Sequence, residues 1–537
     1  MKELEQYGLT VEDLPDWMRP RQQRIHWPTV IIVSVIVLVC VPVILRDGLP
    51  PSQEAELEMW RVYAISEHMR DGYLYPQWST IYNRGYGSPI FTYLAPLPHY
   101  LGAIHNVLSD EPAHTSVRFV FIVGMTLGIA GTFGFVRKRW GSQAGIYSAV
   151  LFAVSPYLLR LGPYEQGDGG KLLAIGLFPV CLWAVERVLT SGRGRDLATL
   201  SIVICLLLLA ENTLSLILLA VVMSWGALLL ILEKHTSDWR LLFGGISLGL
   251  FLSAFYLLPY FTESTVRWVE TSPPAKIGGF AFYLSLPLTV LVAASVVWVV
   301  RKRQIYLAYF QFLLVILTAL IILVDGVIWS PFYGIGPLLS DDLVGLWTML
   351  AAICVGIFIS QALPNRAIYL TAGVIILTLP YVYLDDFHPY PRTLTINQYR
   401  QFEEETGILA AVANGNLLPE NVHQVPNQSA SLLVVSPDTT ILFRADSSVR
   451  HEYFIQSNAP QQVTINSFDF DGWSIMVDGE PVTSSVDEQS NLMKITIPDG
   501  DFELVATVRH TFLQLWGFIV SGITLLMIVT LGYGLDR

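Results

Sequence analysis

WPTVIIVSVIVLVCVPVIL at residues 27–45 is followed, after only RDGL, by PPSQEAELEMWR at residues 50–61. The first stretch is apolar and long enough to cross a bilayer, which takes about 20 residues. The second sets Glu54, Glu56 and Glu58, then Trp60 and Arg61, directly against the water interface. A chain that leaves lipid and at once presents carboxylates is building either a solvated helix face or a site.

The rest of the chain extends the membrane reading. Of 537 residues, 53% are hydrophobic and only 14% charged, with a mean hydropathy of +0.50, whereas soluble domains carry about 25% charge. The formal net charge is −12. Residues 384–510 alone hold 18 Asp and Glu against 6 Lys and Arg, which is also −12. The acidity is therefore local, and a nucleic-acid partner is excluded as an expectation. Cys40, Cys181, Cys205 and Cys354 all lie in apolar runs, so neither a disulfide framework nor a Cys-based metal site is expected.

Hydropathy predicts about twelve spans, beginning near 28, 118, 142, 171, 196, 213, 240, 281, 304, 343, 367 and 512. The run 197–232 is too long for one span and is divided at Glu211-Asn212. Basic residues recur in every second loop: Arg19, Arg21 and Arg24, then 137–139, Arg193 and Arg195, Lys234 and Arg240, 301–303, Arg366 and Arg537. Because Lys and Arg are retained on the cytoplasmic side, both termini are expected inside, in a plasma-membrane protein. Residues 1–27 lack the pattern of a removable signal peptide, so the first span is expected to stay as an anchor.

The predicted organisation is a cytoplasmic segment 1–27, a mainly α transmembrane bundle over 28–383 and an extracytoplasmic domain over 384–510. A last span and short tail occupy 511–537. Outer loop 47–117 opens with Met59, Val62, Ile65 and Met69 at helical spacing, which suggests a helix along the membrane surface. Its continuation, with Gly85, Gly87, Pro89, Pro96 and Pro98, argues against a long regular helix. Residues 384–510 open with a helical piece and continue as short alternating runs, with Asp478-Gly479 as a hairpin signal. That pattern predicts a β-sandwich whose core includes Val463, Ile465, Phe468 and Phe470. Asn427-Gln428-Ser429 fits a glycosylation sequon.

Glu54 and Glu58 share a helix face with Arg61, while Glu56 points elsewhere. A carboxylate at the mouth of a membrane cavity can serve as general base, taking a proton from an acceptor hydroxyl while a lipid phosphate leaves. The plainer reading is an exposed Glu58–Arg61 ion pair. A leaving phosphate needs positive charge, and the outer cations nearest the spans are Arg84, Arg160, Lys171 and Arg267. Arg160 and Lys171 bracket LGPYEQGDGG, whose Glu165 and Asp168 can instead pair with them. Interfacial snorkelling is the alternative for each cation. The histidines show no metal spacing, His99 and His105 read as interfacial or turn residues, and neither a P-loop nor a G-x-S-x-G elbow is present.

Several stretches resemble a known family: RDGYLYPQWS at 70–79, GYGSPIFTYLAPLPHYLGA at 85–103, FAVSPYLLRLGPYEQGDGGKLLAIGLFPVCLW at 152–183 and AFYLLPYFTES at 254–264. YRQFEEETGILAAVANGNLLPENV at 399–422 and INSFDFDGWSIMVDGEPV at 465–482 add to the likeness. They resemble bacterial 6-pyruvoyl-tetrahydropterin-synthase-related and YfhO-like membrane proteins, which look like GT-C glycosyltransferases. The resemblance implies sugar transfer from a polyprenyl-phosphate carrier to a glycan or lipid acceptor at the outer face, with Glu54 at the position of the catalytic acid, as base or as ligand of a divalent cation. It places Arg160 and Lys171 at the carrier phosphate. Glu56, Arg84, Glu165, Asp168, Glu211 and Asn212 complete the candidate site. Where the family tends to carry R-G-x-x-x-E, this chain has Gln166-Gly167-Asp168-Gly169-Gly170-Lys171; Glu211-Asn212 stands where an H-N pair is usual, and Leu346-Trp347-Thr348 where P-W-R is usual. Those departures point to an alternative, a non-catalytic membrane subunit that binds or assembles an envelope complex.

Overall fold

Backbone polar groups within lipid have no water to bond, so spanning segments close their hydrogen bonds internally as helices. A helix begins within five residues of each expected start, Ala113 against 118 and Leu286 against 281 being the widest gaps. The computed structural model describes residues 26–233, 239–263, 266–270, 283–324, 327–329, 338–412, 415–419, 422, 425–427, 433–434, 439–447, 449–487 and 492–534. The N-terminal segment before residue 26 and two of the three sequon residues fall outside them.

Among the described residues, eight helices are long and apolar enough to cross a membrane. A ninth span results if Trp239–Leu252 and Ala254–Thr262, bent by 71°, count as one. This is fewer than the twelve expected, because three of the helices are short. Gly194–Ala210 and Leu286–Lys302 have 17 residues each, and Ala367–Thr378 has 12. Leu343–Ala362 is the centre of the bundle, with 94% of its apolar window buried. Ala113–Trp140 and Gly169–Ser191 cross at two glycines, where a Cβ on Gly176 would lie 2.4 Å from the Gly124 carbonyl oxygen. Small residues permit such close approach between membrane helices.

The first outer loop forms a helix, Gln53–Arg70, that is largely buried within the protein. Ala55, Leu57, Glu58, Met59, Trp60, Arg61 and Val62 are all buried. Helices Pro96–Ser109 and Ala113–Trp140 pack on it, and Tyr399 and Phe402 of helix Ile396–Thr406 meet Trp60 at 5.1 and 5.9 Å between ring centroids. The local pattern carries no trace of this cover, since it comes from more than 300 residues downstream. Pro96 and Pro98 do not end a helix. They occupy the first turn of Pro96–Ser109, where a missing N–H costs nothing.

Helix Ile396–Thr406 opens on a capping box between Thr395 and Gln398. Beyond it, antiparallel strands form two main sheets. One has the order Glu480–Pro481, Trp473–Val477, Gly500–Val508, Arg450–Ser457, Thr439–Asp446; the other runs Ser485–Val486, Leu492–Ile497, Gln461–Phe468, Leu433–Val434. Ile455, Val477 and Leu504 of the first share a core with Val463, Ile465 and Ile495 of the second. Asp478 and Gly479 both adopt positive φ, 50° and 81°, as a two-residue type I′ hairpin requires.

Phe468 and Phe470 depart from the expected common core. They pack with Trp78 and Tyr86 of the first outer loop, Phe470 stacking on Trp78 at 5.2 Å and Phe468 on Tyr86 at 5.5 Å. The register slips between Leu492 and Met493, opposite Phe468. One irregular position changes which face a side chain takes. The strand region is thereby fastened to the first loop, with the Phe468 amide donating to the Tyr86 carbonyl at 3.0 Å.

Candidate functional site

Four carboxylates sit at the starts of four different helices. Glu54 lies in the first turn of Gln53–Arg70 and Asp168 caps Gly169–Ser191 by accepting from the Lys171 amide at 2.9 Å. Glu211 accepts from the Leu214 amide at the start of Leu214–Leu232, and Asp342 immediately precedes Leu343–Ala362. The positive ends of helix dipoles favour negative charge at these places. As a local matter, the dipoles favour each acid, and Asp168 and Glu211 also cap helix-start amides.

Their convergence is not local. The segment Tyr157–Gln166 winds as a π-helix, a form frequent at functional sites. It ends at Gly167, whose φ of +64° suits a residue without a side chain. A Cβ there would lie 2.6 Å from Ser52 Oγ. Ser52 Oγ donates to the Gln166 carbonyl at 2.7 Å, and Gln166 Nε2 donates to the Asp341 carbonyl at 3.4 Å. A Cβ on Gly170 would lie 2.7 Å from the Ala210 carbonyl oxygen. Residues 166–170 therefore touch the segments near 52, 210 and 341.

Two cations lie among the acids. Lys171 Nζ is 2.7 Å from Asp342 Oδ1 and 3.4 Å from Asp168 Oδ2. Arg61 is 2.6 Å from Glu54 and 3.6 Å from Glu58, and it also donates to the Ala411 carbonyl at 2.8 Å. Glu58 meets His99 Nδ1 at 2.9 Å. The plain reading of an exposed Glu58–Arg61 pair is overturned, because each residue is 4% exposed. His99, at 4%, is likewise buried.

The cluster holds six carboxylates, Glu54, Glu58, Asp168, Glu211, Asp341 and Asp342, against Arg61 and Lys171, with the His99 ring on Glu58. Burial raises the pKa of Asp168; Lys171 opposes the shift, and the fields of Glu54 and Glu58 add to it. Burial pushes Glu211 up to about 7, again against Lys171. Asp341 is raised by burial and by Asp342 beside it. Glu58 goes the other way: burial pushes it up, but His99 and Arg61 outweigh burial and hold it low. The site therefore combines firmly ionised groups with groups that change protonation nearer neutrality.

Other candidates fall outside this cluster. Glu56 points away from Glu54, towards Tyr390 and His388, and burial raises its pKa. The Asn212 side chain is held at both ends, donating to the Tyr93 carbonyl and accepting from Tyr256, both at 2.7 Å. Arg84 braces the strand region: its amide donates to Glu403 at 2.9 Å and its guanidinium to the Pro426 carbonyl at 2.9 Å. Arg160 pairs with Glu165 at 2.6 Å and lies 5.7 Å from the Tyr383 ring centroid. Glu165 also accepts from the Tyr283 hydroxyl. The Arg267 side chain lies outside the described residues.

Sequence reasoning missed Arg46, Asp341 and Asp342. Arg46, at the end of the first span, is 5.6 Å from the same Tyr383 ring centroid and donates to the Tyr383 carbonyl at 2.9 Å. The available signals were a cation at a span end and two adjacent acids directly before an apolar run. Among the described residues no three His, Cys, Asp or Glu side chains are grouped to hold a metal ion. Glu54 and Asp342 instead lie against Arg61 and Lys171.

Fold and site together define a membrane protein with an acid-rich charged cluster at one end of a helical bundle. Residues 91–386, more than half of the chain, match the 6-pyruvoyl-tetrahydropterin synthase related domain, described as a membrane protein, and the chain belongs to that family. No curated protein matches by sequence. Among solved structures, ArnT from Cupriavidus metallidurans bound to undecaprenyl phosphate aligns at 13% identity with a TM-score of 0.43, over 66% of this chain and 64% of ArnT. The arabinofuranosyltransferase AftD from Mycobacteria aligns at 16% identity and 0.43, over 66% of this chain and 26% of AftD. The oligosaccharyltransferase AglB from Archaeoglobus fulgidus, in complex with an inhibitory peptide and a dolichol-phosphate, aligns at 12% and 0.39, over 70% and 59%. This chain spans just under two thirds of the length of ArnT. Likeness at this level says nothing of activity.

Proposed function

We propose that the protein is a GT-C-type glycosyltransferase that takes a sugar from a polyprenyl-phosphate carrier at the outer face of the plasma membrane, with both termini inside. The observation that supports it is the convergence of carboxylates from four helix starts, in excess of the cations that hold them. A structural cluster gains nothing from such an excess.

In this reading Glu54, with Asp168 beside it in the same field, takes the proton from an acceptor hydroxyl. Its side chain is 21% exposed against 5% for Glu58, and Arg61 contacts both acids. The acceptor oxygen bonds to the sugar's anomeric carbon as the bond from that carbon to the carrier phosphate oxygen breaks. The electron pair leaves with the phosphate. Arg160, with Arg46 at the same aromatic ring, is placed to meet that charge near the membrane edge, and Lys171 and the helix N-termini add positive potential. Glu165 and Asp168 are three residues apart, at most about 11 Å of chain, so both groups can serve one substrate. A cavity of about 340 Å³ between the first loop and the strand region, lined by Tyr73, Tyr75, Gln77, Val449, Arg509 and His510, lies about 20 Å along helix Gln53–Arg70 from Glu54 and suits only a distal part of an extended acceptor glycan. Among the described residues, Gln77 Nε2 is buried there without a hydrogen-bond partner.

The second reading, a non-catalytic subunit for binding or assembly, is favoured by one observation: Lys171 is already held by Asp168 and Asp342. Carrier binding separates the two. Purified protein titrated with polyprenyl phosphate is expected to bind saturably, with affinity reduced on the order of 10-fold in Arg160→Gln, as for loss of one charged hydrogen-bond donor. Absence of binding, or indifference to Arg160→Gln, would favour the subunit.

A further inference from the structure

Helix Gly169–Ser191 has 23 residues, so it runs about 33 Å from the acidic cluster to its other end. That is close to the ~30 Å thickness of a bilayer's hydrocarbon core. At the far end lies a cavity of about 520 Å³ whose lining includes Lys138, Trp183, Arg187, Thr190, Arg193 and Asp196. We propose that this cavity binds the phosphate headgroup of an anionic lipid at the membrane interface opposite the acidic cluster.

Charge is the first argument. Asp196, 2% exposed, is satisfied by Arg187 and by the Ser191 hydroxyl. Lys138 also lies in the field of Glu186, which leaves Arg193 as the surplus positive charge of the lining. Lys138 Nζ donates to Thr190 Oγ1 at 3.0 Å, and an ammonium has two further donors to offer. The hydroxyl of Thr190 and the guanidinium of Arg193, on an exposed residue, border the same space. A phosphate is the group such a set recognises, since it accepts from several donors at once and neutralises the excess.

Position argues for a lipid rather than a dissolved phosphate. Trp183 lies one helical turn deeper than Arg187, whose guanidinium is 4.7 Å from its ring centroid. Tryptophan above lipid tails and cations at headgroup level is the ordinary arrangement of a bilayer interface. The neighbouring helix Trp239–Leu252, which reaches Gly192 through Leu241, exposes Trp239 (49%) and Phe243 (57%). Acyl chains have an apolar wall beside the headgroup site. Basic pockets between membrane helices hold anionic headgroups by this combination of charge and apolar flank.

The test uses the full-length protein in detergent, titrated with phosphatidylglycerol, phosphatidylcholine or inorganic phosphate, with bound molecules counted by native mass spectrometry. Phosphatidylglycerol should be retained over phosphatidylcholine. The double variant Lys138→Gln with Arg193→Gln should lower its affinity by about 10-fold or more, taking about 1 kcal/mol per interfacial cation. Arg193→Gln alone, at an exposed position, should lower it by about 5-fold and guards against a folding defect. Arg301→Gln with Lys302→Gln, basic but outside the cavity, should leave binding unchanged. An equal loss in that control pair, unchanged binding in both cavity variants, or inorganic phosphate displacing the lipid at equal concentration would each overturn the assignment.

Discussion

The two ends of helix Gly169–Ser191 treat charge differently. Near its end, Arg139 sits between Glu186 at 2.6 Å and Glu233 at 2.8 Å, with the Tyr306 hydroxyl donating to Glu233 at 3.0 Å, and Arg187 pairs with Asp196. Three acids there meet Arg139, Arg187 and Lys138. At its start, six acids meet Arg61 and Lys171. Matched charges are what a buried network needs to hold helices together, because an unpaired charge is costly to bury. An excess of one sign raises proton affinities and weakens the fold, so it persists where chemistry uses it. Under the proposed function, the contrast separates a latch from a site within one helix.

The strongest way to break this comparison is at the latch. Arg139→Gln leaves Glu186, with 2% side-chain exposure, without its cation, and should cost about 3 to 5 kcal/mol of stability, read as a lowered thermal midpoint in detergent. A substitution tolerated without loss would mean that the matched pairs are not structural. The second test concerns Glu211, raised by burial from its ordinary 4.5 to about 7. The folded state binds this proton more tightly than the unfolded state. Stability from this group is therefore present below about pH 4.5 and is lost as pH rises through about 7. Thermal midpoints measured across that window should fall less steeply in Glu211→Gln. An unchanged slope would remove Glu211 from the acid-rich set. The smallest effect belongs to Glu67 and Arg70, a pair with both side chains 43% exposed. Glu67→Ala should change stability by about 0 to 1 kcal/mol, and a larger loss would mean that exposure does not rank these pairs.

Much of this arrangement was legible in the sequence because its carriers are local. Apolar runs located the helices, Asp478-Gly479 located a hairpin, and carboxylates next to span ends marked Glu54, Asp168 and Glu211. What stayed hidden depends on distant chain. Helix Gln53–Arg70 looks like a surface helix until residues 396–411 cover it, and the Arg61 bond to Ala411 joins residues 350 positions apart. The different surroundings of Glu54, Glu56 and Glu58 follow from that cover. Asp341 and Asp342 bear no spacing relation to Lys171, so only the fold reveals the contact. Phe468 and Phe470 left their predicted core because a register slip is invisible in an alternating pattern.

The central claim is that the surplus acids at the start of Gly169–Ser191 do chemistry. It is tested most directly by sugar transfer from polyprenyl-phosphate donors, measured beside thermal stability for Glu54→Gln and Asp168→Asn. Both substitutions keep size and hydrogen bonding while removing charge. The account predicts transfer by the native protein and a fall on the order of 10²-fold or more in each variant, with thermal midpoints unchanged or raised, since each removes a charge from an acid-rich cluster. Transfer that survives both substitutions, or midpoints that collapse together with activity, would contradict it and leave the cluster as architecture.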